Sequence, residues 1–457
     1  MNQKLDRLFH LSQRKTSVKT EALAGFTTFI TMAYILAVNP NILGASGMDP
    51  GAVFTATCLS SLIATVCMAL FSNYPFVLAP GMGLNAYFAY SVVIGMGYSW
   101  QTALAAVFVE GIIFIVLTLT PIREGIFNSI PMCLKHAITA GIGLFIAFIG
   151  LQNAKLIVGG ATLVELYNWK ANTASFSVEG ITVVLALLGI LITAVLVAKK
   201  VRGGILLGIL ITWALGIVCQ LTGLYQVDPA AGAYSLLPDF SAGLSIPSMA
   251  PTFLQMDFSK LLSLDFLVVV LSFLFLDMFD TIGGLIGISE KAQLLDKDGH
   301  LPKVKGALMA DAVGTTVGAV CGTSTVTTFA ESAAGVSEGG RTGLTSLVAA
   351  GFFGLSLFLS PIFLAIPSFA TAPALVLVGF MMMDAVLQVK WKDLFQSIPA
   401  FLTLLAIPFA YSISDGIALG VISYVVLNLF GGKDKRSAIS PVMYALAVVF
   451  LLKYILL

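Results

Sequence analysis

The sequence predicts an all-α polytopic membrane protein of about fourteen transmembrane helices, and three observations predict it. Of 457 residues, 58% are hydrophobic and 10% are charged, where a soluble domain carries roughly 25% charged residues; the mean hydropathy is +0.98. The apolar residues fall in continuous runs, near the length of about 20 residues that crosses a hydrocarbon core roughly 30 Å thick, without the period-two alternation of a β-barrel. The Lys and Arg residues gather on one side once those runs are made to alternate across a bilayer. A net charge of +1 leaves no basic excess for nucleic acid. The five Cys are odd in number and sit mostly in apolar stretches, so they read as small buried hydrophobes and not as a disulfide framework. Soluble enzyme, secreted module and disordered scaffold are thereby excluded.

Residues 1–20 are polar and basic, so no cleavable signal peptide is expected and this segment is assigned to the cytoplasm. Spans follow near 21–38, 52–71, 79–94, 101–120, 136–153, 179–198 and 203–222. The longest polar gap, about 223–263, holds Asp228, Asp239 and Asp257 and several Pro. Beyond it, spans lie near 264–288, 306–321, 323–336, 342–363, 371–388, 397–412 and 415–430. The last apolar piece, 441–457, reads either as a further span or as a helix lying on the membrane or packed on the bundle. With a cytoplasmic N-terminus and fourteen alternating spans, 20 of the 24 Lys and Arg fall on the cytoplasmic side. Lys155, Lys170 and Lys260 fall outside, and Lys453 belongs to the tail. A wrong span count would scramble that asymmetry from the error onward.

The gap divides the chain into seven spans and seven. An odd number per half makes the halves enter the membrane from opposite sides, the inverted-repeat plan of many secondary transporters. Ala56–Cys67 and Ala310–Cys321 echo each other in small-residue texture. Each leads into a span too short and too rich in Gly, Pro, Ser or Thr to cross as a plain helix. These broken spans (79–94 and 323–336) are third in their halves, and paired interrupted segments point to a binding site.

The first break, Leu78–Tyr90, carries Pro80, Gly81 and Gly83, which disfavour helix and allow close backbone approach. Asn85 then stands near the start of a half-helix, where it either caps or offers a donor and an acceptor to a ligand; freed N–H groups there favour partial negative charge. In the second break, Gly322–Gly335, five hydroxyl residues precede Glu331, and Thr328 lies three residues before it, one helical turn away. A carboxylate at membrane depth costs several kcal/mol unless partnered, so Glu331 reads as functional, with a structural carboxylate bonded to Ser/Thr as the alternative. The eighth span places Asp277 and Asp280 three apart on one helical face, acids that packing alone does not explain. Asp311 in the ninth span is a further candidate. Asp265 and Asp415 sit near span ends, where capping or surface roles fit better. Glu110 and Asp384 receive no role, and Glu338 with Arg341 reads as a solvated pair. No HExxH, CxxC pair, Gly-x-Ser-x-Gly or Walker loop occurs, so no metal, no cofactor, no catalytic centre and no nucleotide-driven pump is expected.

Four stretches, Glu21–Ile35, Ala79–Ala86, Asp277–Gly284 and Thr327–Val336, together resemble the nucleobase–cation symporter 2 superfamily, in its AzgA-like purine permease branch, over nearly the whole chain. The resemblance implies the UraA-like fold with a core domain (spans one to four, 21–120, and eight to eleven, 264–363) and a gate domain (spans five to seven, 136–222, and twelve to fourteen, 371–430), joined by an external connection at 223–263 and followed by a tail at 431–457. It implies proton-coupled import of guanine, hypoxanthine or adenine by elevator-type movement of core against gate, a multi-pass place in the cell membrane, and a homodimer. It further implies that Asp280 and Glu331 hold the base, with backbone N–H groups at Ala330 and around Leu84 and Asn85. Where uracil-type relatives carry Glu and, four residues later, His, this chain has Asp280 and Gly284; the smaller acid and missing His suit a bicyclic purine. Thr328 joins the substrate set, Phe279, Phe329 or Tyr87 would stack on the ring, and the coupled proton is expected on Asp280, Glu331, Asp277 or Asp311. The competing readings are an anion carrier or channel of the same fold, a sodium-coupled carrier, and an intramembrane enzyme.

Overall fold

Every predicted span corresponds to a helix or a broken helix in the computed structural model, which describes residues 3–120, 129–160, 163–229, 233–241, 243–291, 294 and 301–456. Helix makes up 70% of the molecule, as expected where every backbone group must be satisfied without water. After a short α1 (Gln3–Phe9), the first span is two helices, α2 (Val18–Met32) and α3 (Ile35–Gly44), broken at Ala33 and Tyr34. Then come α4 (Pro50–Phe71), β1 (Leu78–Pro80), α5 (Met82–Ala86, continued as a π-helix over Tyr87–Gly95), α6 (Trp100–Leu119) and α7 (Met132–Asn153). A small hairpin, β2 (Ile157–Gly159) with β3 (Val164–Leu166), leads to α8 (Ile181–Ala198) and α9 (Gly204–Leu221). The second half runs through α10 (Leu264–Lys291), α11 (Val304–Cys321), β4 (Val326–Thr328), α12 (Ser332–Ser337), α13 (Gly343–Ser356), α14 (Ser368–Met382), α15 (Leu394–Phe409), α16 (Ile413–Phe430) and α17 (Pro441–Leu456). Among the described residues ten helical segments are long and apolar enough to cross a membrane, and Met82–Gly95, Leu394–Phe409 and Pro441–Leu452 are shorter apolar helices.

Local chemistry sets the helix starts. Asp49 accepts from the Ala52 N–H at 2.7 Å, directly before Pro50 in the first turn of α4, and Ser99 caps α6, Asp393 α15 and Ser412 α16 in the same way. A more unusual cap comes from Glu21, fully buried in α2: its carboxylate accepts from the Arg341 and Thr342 N–H groups (2.9 and 3.2 Å) and from the hydroxyls of Thr342 and Thr345 (2.8 and 2.6 Å). An acid of the first span thus holds the start of α13 in the second half.

The helices pack in two groups. In one, α4 lies against α11 and α13, α6 against α10 and α11, and α2 against α12 and α13. In the other, α7 lies against α14 and α15, α8 against α9 and α14, and α15 against α16. Both groups mix elements of the two halves, as an inverted repeat requires. Side chains such as Leu187, Leu188, Leu191 and Val195 of α8 are exposed and apolar, a face for lipid and not for water. The piece at 441–457 is a helix packed on α16 and α10, with Met443 and Phe450 fully buried.

Three local expectations change. The helix of the fifth span, α7, starts earlier than the apolar run suggested, because Pro131 serves as its N-cap; Lys135 and His136 therefore lie in its first turns, and Lys135 is buried. Glu338 pairs with Arg202, while the Arg341 guanidinium donates to the carbonyls of Val336 and Gly340 (2.8 and 2.9 Å), so the expected Glu338–Arg341 pair is replaced by contacts that tie down the end of α12. Thr328 belongs to β4, so helical spacing does not relate it to Glu331. Arg123, Lys297, His300 and the side chain of Phe279 lie outside the described residues.

Candidate functional site

The two broken spans meet. Their first residues are strands, and β1 pairs antiparallel with β4 in the register Leu78↔Thr328, Ala79↔Thr327 and Pro80↔Val326. The ladder is extended by Gly81 N–H to the Thr325 carbonyl and Phe329 N–H to the Val77 carbonyl, both at 3.0 Å. Two short strands leave outer edges unpaired, which is costly inside a membrane. Threonine hydroxyls cover them: Thr65 of α4 accepts from Leu78 N–H (3.0 Å) and donates to its carbonyl (3.2 Å). Thr315 of α11 does the same for Val326, at 3.2 and 3.1 Å. The second and ninth spans, whose sequences echo each other, therefore perform matching tasks. Gly81 is required by this crossing, since a Cβ there would stand 2.6 Å from Cγ2 of Thr327. Gly322, which ends α11, has φ +98° and faces Thr252 with no room for a side chain.

Beyond the strands the chain turns into two half-helices. At the start of α5 no side chain caps the first turn, so N–H groups of Met82, Gly83 and Leu84 lack intrahelical partners. Asn85 is fully buried and accepts from the Ser324 hydroxyl on the opposite break. On the other side Phe329 is buried and Ala330 exposed, directly before Glu331, the N-cap position of α12. Glu331 is half-buried, and its Oε1 accepts from the Tyr34 hydroxyl at 2.6 Å. Asp280, on α10, is exposed to open space next to the break, and its Oδ2 would lie 3.4 Å from a Cβ at Gly81. Asp280 and Glu331 are close enough for their charges to repel, and both act on the Tyr34 phenol. Two carboxylates, a phenol and N–H groups without intrahelical partners thus stand beside the strand crossing. That set accepts hydrogen bonds from a donor-rich ligand edge and donates to its acceptors.

Behind β4 lies a second group of acids. Asp277, Asp311 and Glu110 are all fully buried. The Thr281 hydroxyl stands 3.2 Å from Asp277 Oδ1, 2.9 Å from Asp311 Oδ2 and 2.9 Å from the Thr327 hydroxyl. Asp277 and Asp280, read together from their spacing, therefore serve different surroundings: one is sealed among threonines and acids, the other opens toward Gly81. Thr328 is buried, and its hydroxyl has no partner among the described residues.

The sequence profile described as "Permease family" (Xan_ur_permease) matches residues 19–419. The chain belongs to the nucleobase–cation symporter 2 family. This permease is 49% identical over 452 residues to a putative permease of Methanocaldococcus jannaschii, covering 99% of this chain and 98% of that one. It is 43% identical to the guanine/hypoxanthine permease PbuO of Bacillus subtilis (98% and 100% covered) and 40% identical to the adenine permease AdeP of Escherichia coli (99% and 96% covered). Among solved structures, the transmembrane domain of the cyanobacterial bicarbonate transporter BicA superposes with a TM-score of 0.60 at 17% identity, covering 88% of this chain and 97% of that one. SLC26A9 superposes with a TM-score of 0.64 at 12% identity, covering 91% and 67%; both share the UraA-like fold. The protein is a membrane permease and not an enzyme.

Sequence reasoning missed Tyr34 in this permease. An aromatic residue in an apolar span carries no sign of function by itself; the available signal was its place at the end of the Glu21–Ile35 stretch that resembles the family. Glu110 was noticed and left without a role, because its partners come from elements far away in the chain. A cavity of about 590 Å³, lined by Asn41, Asn153, Tyr225 and Phe369 among others, opens where the two helix groups meet; neither Asp280 nor Glu331 lines it.

Proposed function

We propose that this permease imports purine nucleobases, guanine or hypoxanthine foremost and adenine as a further substrate, together with protons. The observation that carries the proposal is the convergence of Asp280 and Glu331 beside the crossed β1–β4 strands. A purine presents ring N–H and exocyclic NH₂ donors, for which carboxylates are the natural acceptors. Glu331 and Asp280 accept from one edge of the base, and the N–H groups near Leu84 and Ala330 donate to its carbonyl or ring nitrogens. Asn85 and Thr328 shape the pocket wall, and Phe329, with Phe279 or Tyr87, offers a flat apolar face. The relatives named as guanine/hypoxanthine and adenine permeases support this substrate class.

In the same proposal the core domain (21–120 and 264–363) carries the base past a gate domain (136–222 and 371–430), with the 223–263 connection outside, the N-terminus in the cytoplasm and the 431–457 tail packed on the bundle of a cell-membrane homodimer. Coupling to protons uses carboxyls among Asp280, Glu331, Asp277 and Asp311. An anion carrier of this fold would place positive charge between the half-helices, where this chain places two acids.

The test is uptake of radiolabelled hypoxanthine by cells lacking other purine carriers. Unlabelled guanine, hypoxanthine, adenine, xanthine and uracil compete, with and without a protonophore. Competition by purines and loss of accumulation with the protonophore are expected; a sodium requirement without a pH requirement would overturn the proton assignment.

A further inference from the structure

The cavity of about 590 Å³ at the seam between the two helix groups is left unused by the reading above. Its volume falls in the roughly 300–1,000 Å³ range of small-molecule sites, which favour such seams. It lies on the side of Lys155, which the proposed topology places outside the cell. Two elements of the central site lead to it. Asn41, on the cavity wall, is seven residues beyond Tyr34, about 10 Å along the axis of α3 at 1.5 Å per residue. Asn153, on the wall as well, donates to the Tyr90 hydroxyl at 3.1 Å, and Tyr90 follows Asn85 by five residues on the first broken span. The walls define what fits. Lys155 and Glu179 are the charged residues among the described ones lining the cavity, and they pair at 2.6 Å, so these walls carry no net charge to hold an ion. Phe369 and Tyr225 are buried, and the Tyr225 hydroxyl donates to the Tyr234 carbonyl at 2.8 Å, which fixes its ring. No side-chain hydrogen bond ties up the half-buried Asn41 among the described residues.

We propose that this cavity is an outer binding site for a neutral nucleobase, with Asn41 as the group that pairs with it. An amide side chain offers an N–H donor beside a carbonyl acceptor. The ring N–H and adjoining carbonyl of hypoxanthine or guanine present the same two groups in reverse, so two parallel hydrogen bonds form. Adenine offers an equivalent edge through a ring nitrogen and its NH₂ group. Phe369 or Tyr225 carries the flat face of the base. The carboxylate in this cavity is already paired with Lys155, so the outer site holds a base less tightly than Asp280 and Glu331 do. Charged relatives of the base, such as its ribonucleoside monophosphate, find no spare cation here and are refused.

The choice of ligand rests on the purine-transport reading, and the experiment separates the two. S368C and S175C, both on the cavity wall, are made singly in a background without the native cysteines. Each is labelled in right-side-out vesicles with a membrane-impermeant maleimide, with and without hypoxanthine or inosine monophosphate. The series is repeated with E331Q, N41A or N41L added. Hypoxanthine at twice its Kd should slow labelling about threefold, in the E331Q protein as in its parent, and the monophosphate should not. N41A and N41L should abolish that protection while labelling without hypoxanthine keeps its rate. Protection seen in the parent and absent from E331Q assigns the effect to the central site and overturns the outer one. So does lack of protection in a parent that takes up hypoxanthine, protection untouched by both Asn41 variants, or failure of the maleimide to reach either cysteine from outside. Equal protection by the monophosphate overturns the neutral ligand. Protection that persists in a parent unable to take up hypoxanthine overturns the transport reading and leaves the outer site standing.

Discussion

The Tyr34–Glu331 contact is the point at which a single atom decides how the site presents itself. A phenol donating to a carboxylate at 2.6 Å occupies one lone pair and fixes the orientation of the others. Tyr34→Phe removes that bond and should weaken apparent hypoxanthine affinity about 10- to 150-fold, the worth of one hydrogen bond to a charged group, with transport at saturation largely kept; KM and maximal rate measured in proteoliposomes check the split. Glu331→Gln and Asp280→Asn remove the acceptors themselves, and uptake should fall to background while the protein still reaches the membrane. Wild-type uptake by either variant would withdraw that residue from the site. Asp280 and Glu331 were legible in the sequence because a charge inside an apolar run is conspicuous. Tyr34 was not legible, since an aromatic side chain belongs in such a run whether or not it touches a ligand.

At the scale of elements, the breaks were legible and their structure was not. Pro80, Gly81 and the threonines before Glu331 signal that no plain helix crosses there, but three-residue strands are too short to show any period, and their pairing joins residues from opposite halves. The strand crossing depends on Gly81. Gly81→Ala forces a methyl against Thr327, which should cost about 1–3 kcal/mol of overpacking and abolish substrate binding; thermal unfolding in detergent and a binding assay report the two effects separately. The Glu21 cap on α13 is a second such joint. Glu21→Ala strands buried N–H and hydroxyl donors, and stability should fall by roughly 2–3 kcal/mol, read as a lowered thermal midpoint. Asp393 caps α15 and pairs with Lys435 at 2.7 Å, which holds its carboxyl below the usual carboxylate range. A depressed folded value means that this contribution is complete above the unfolded value near 4. It fades as pH falls through the folded value, and thermal unfolding followed from pH 6 down to pH 3 should show D393N losing less stability than wild type.

For the whole molecule, two groups of helices that both draw on the two halves suggest bodies able to move past each other. On the side of Lys155, Tyr90 and Asn153 join them through hydroxyl and amide, 3.1 Å apart. If transport moves one group against the other, a bifunctional thiol cross-linker joining Y90C to N153C, in a background without the five native cysteines, should stop uptake, while the same two cysteines without the cross-linker should not. Full uptake by the cross-linked pair would argue for a site that opens without such movement. This architecture could be anticipated at the coarse level: span number, the seven-plus-seven division and the location of the breaks follow from hydropathy and from Lys and Arg positions. Which helices share a body could not be, because grouping is decided by small-residue contacts such as Gly143 against the Gly379 carbonyl, and small residues recur in every span.

The pairing of Leu78 with Thr328 has a consequence for how the protein is made. The first strand emerges from the ribosome with most of the chain still unwritten, and at roughly 5–20 residues per second its mate follows on the order of 10–50 s later. Through that wait a stretch of bare peptide groups must be sheltered by the insertion machinery or stay outside the bilayer, so the nascent permease finishes its central pocket among its last acts of assembly.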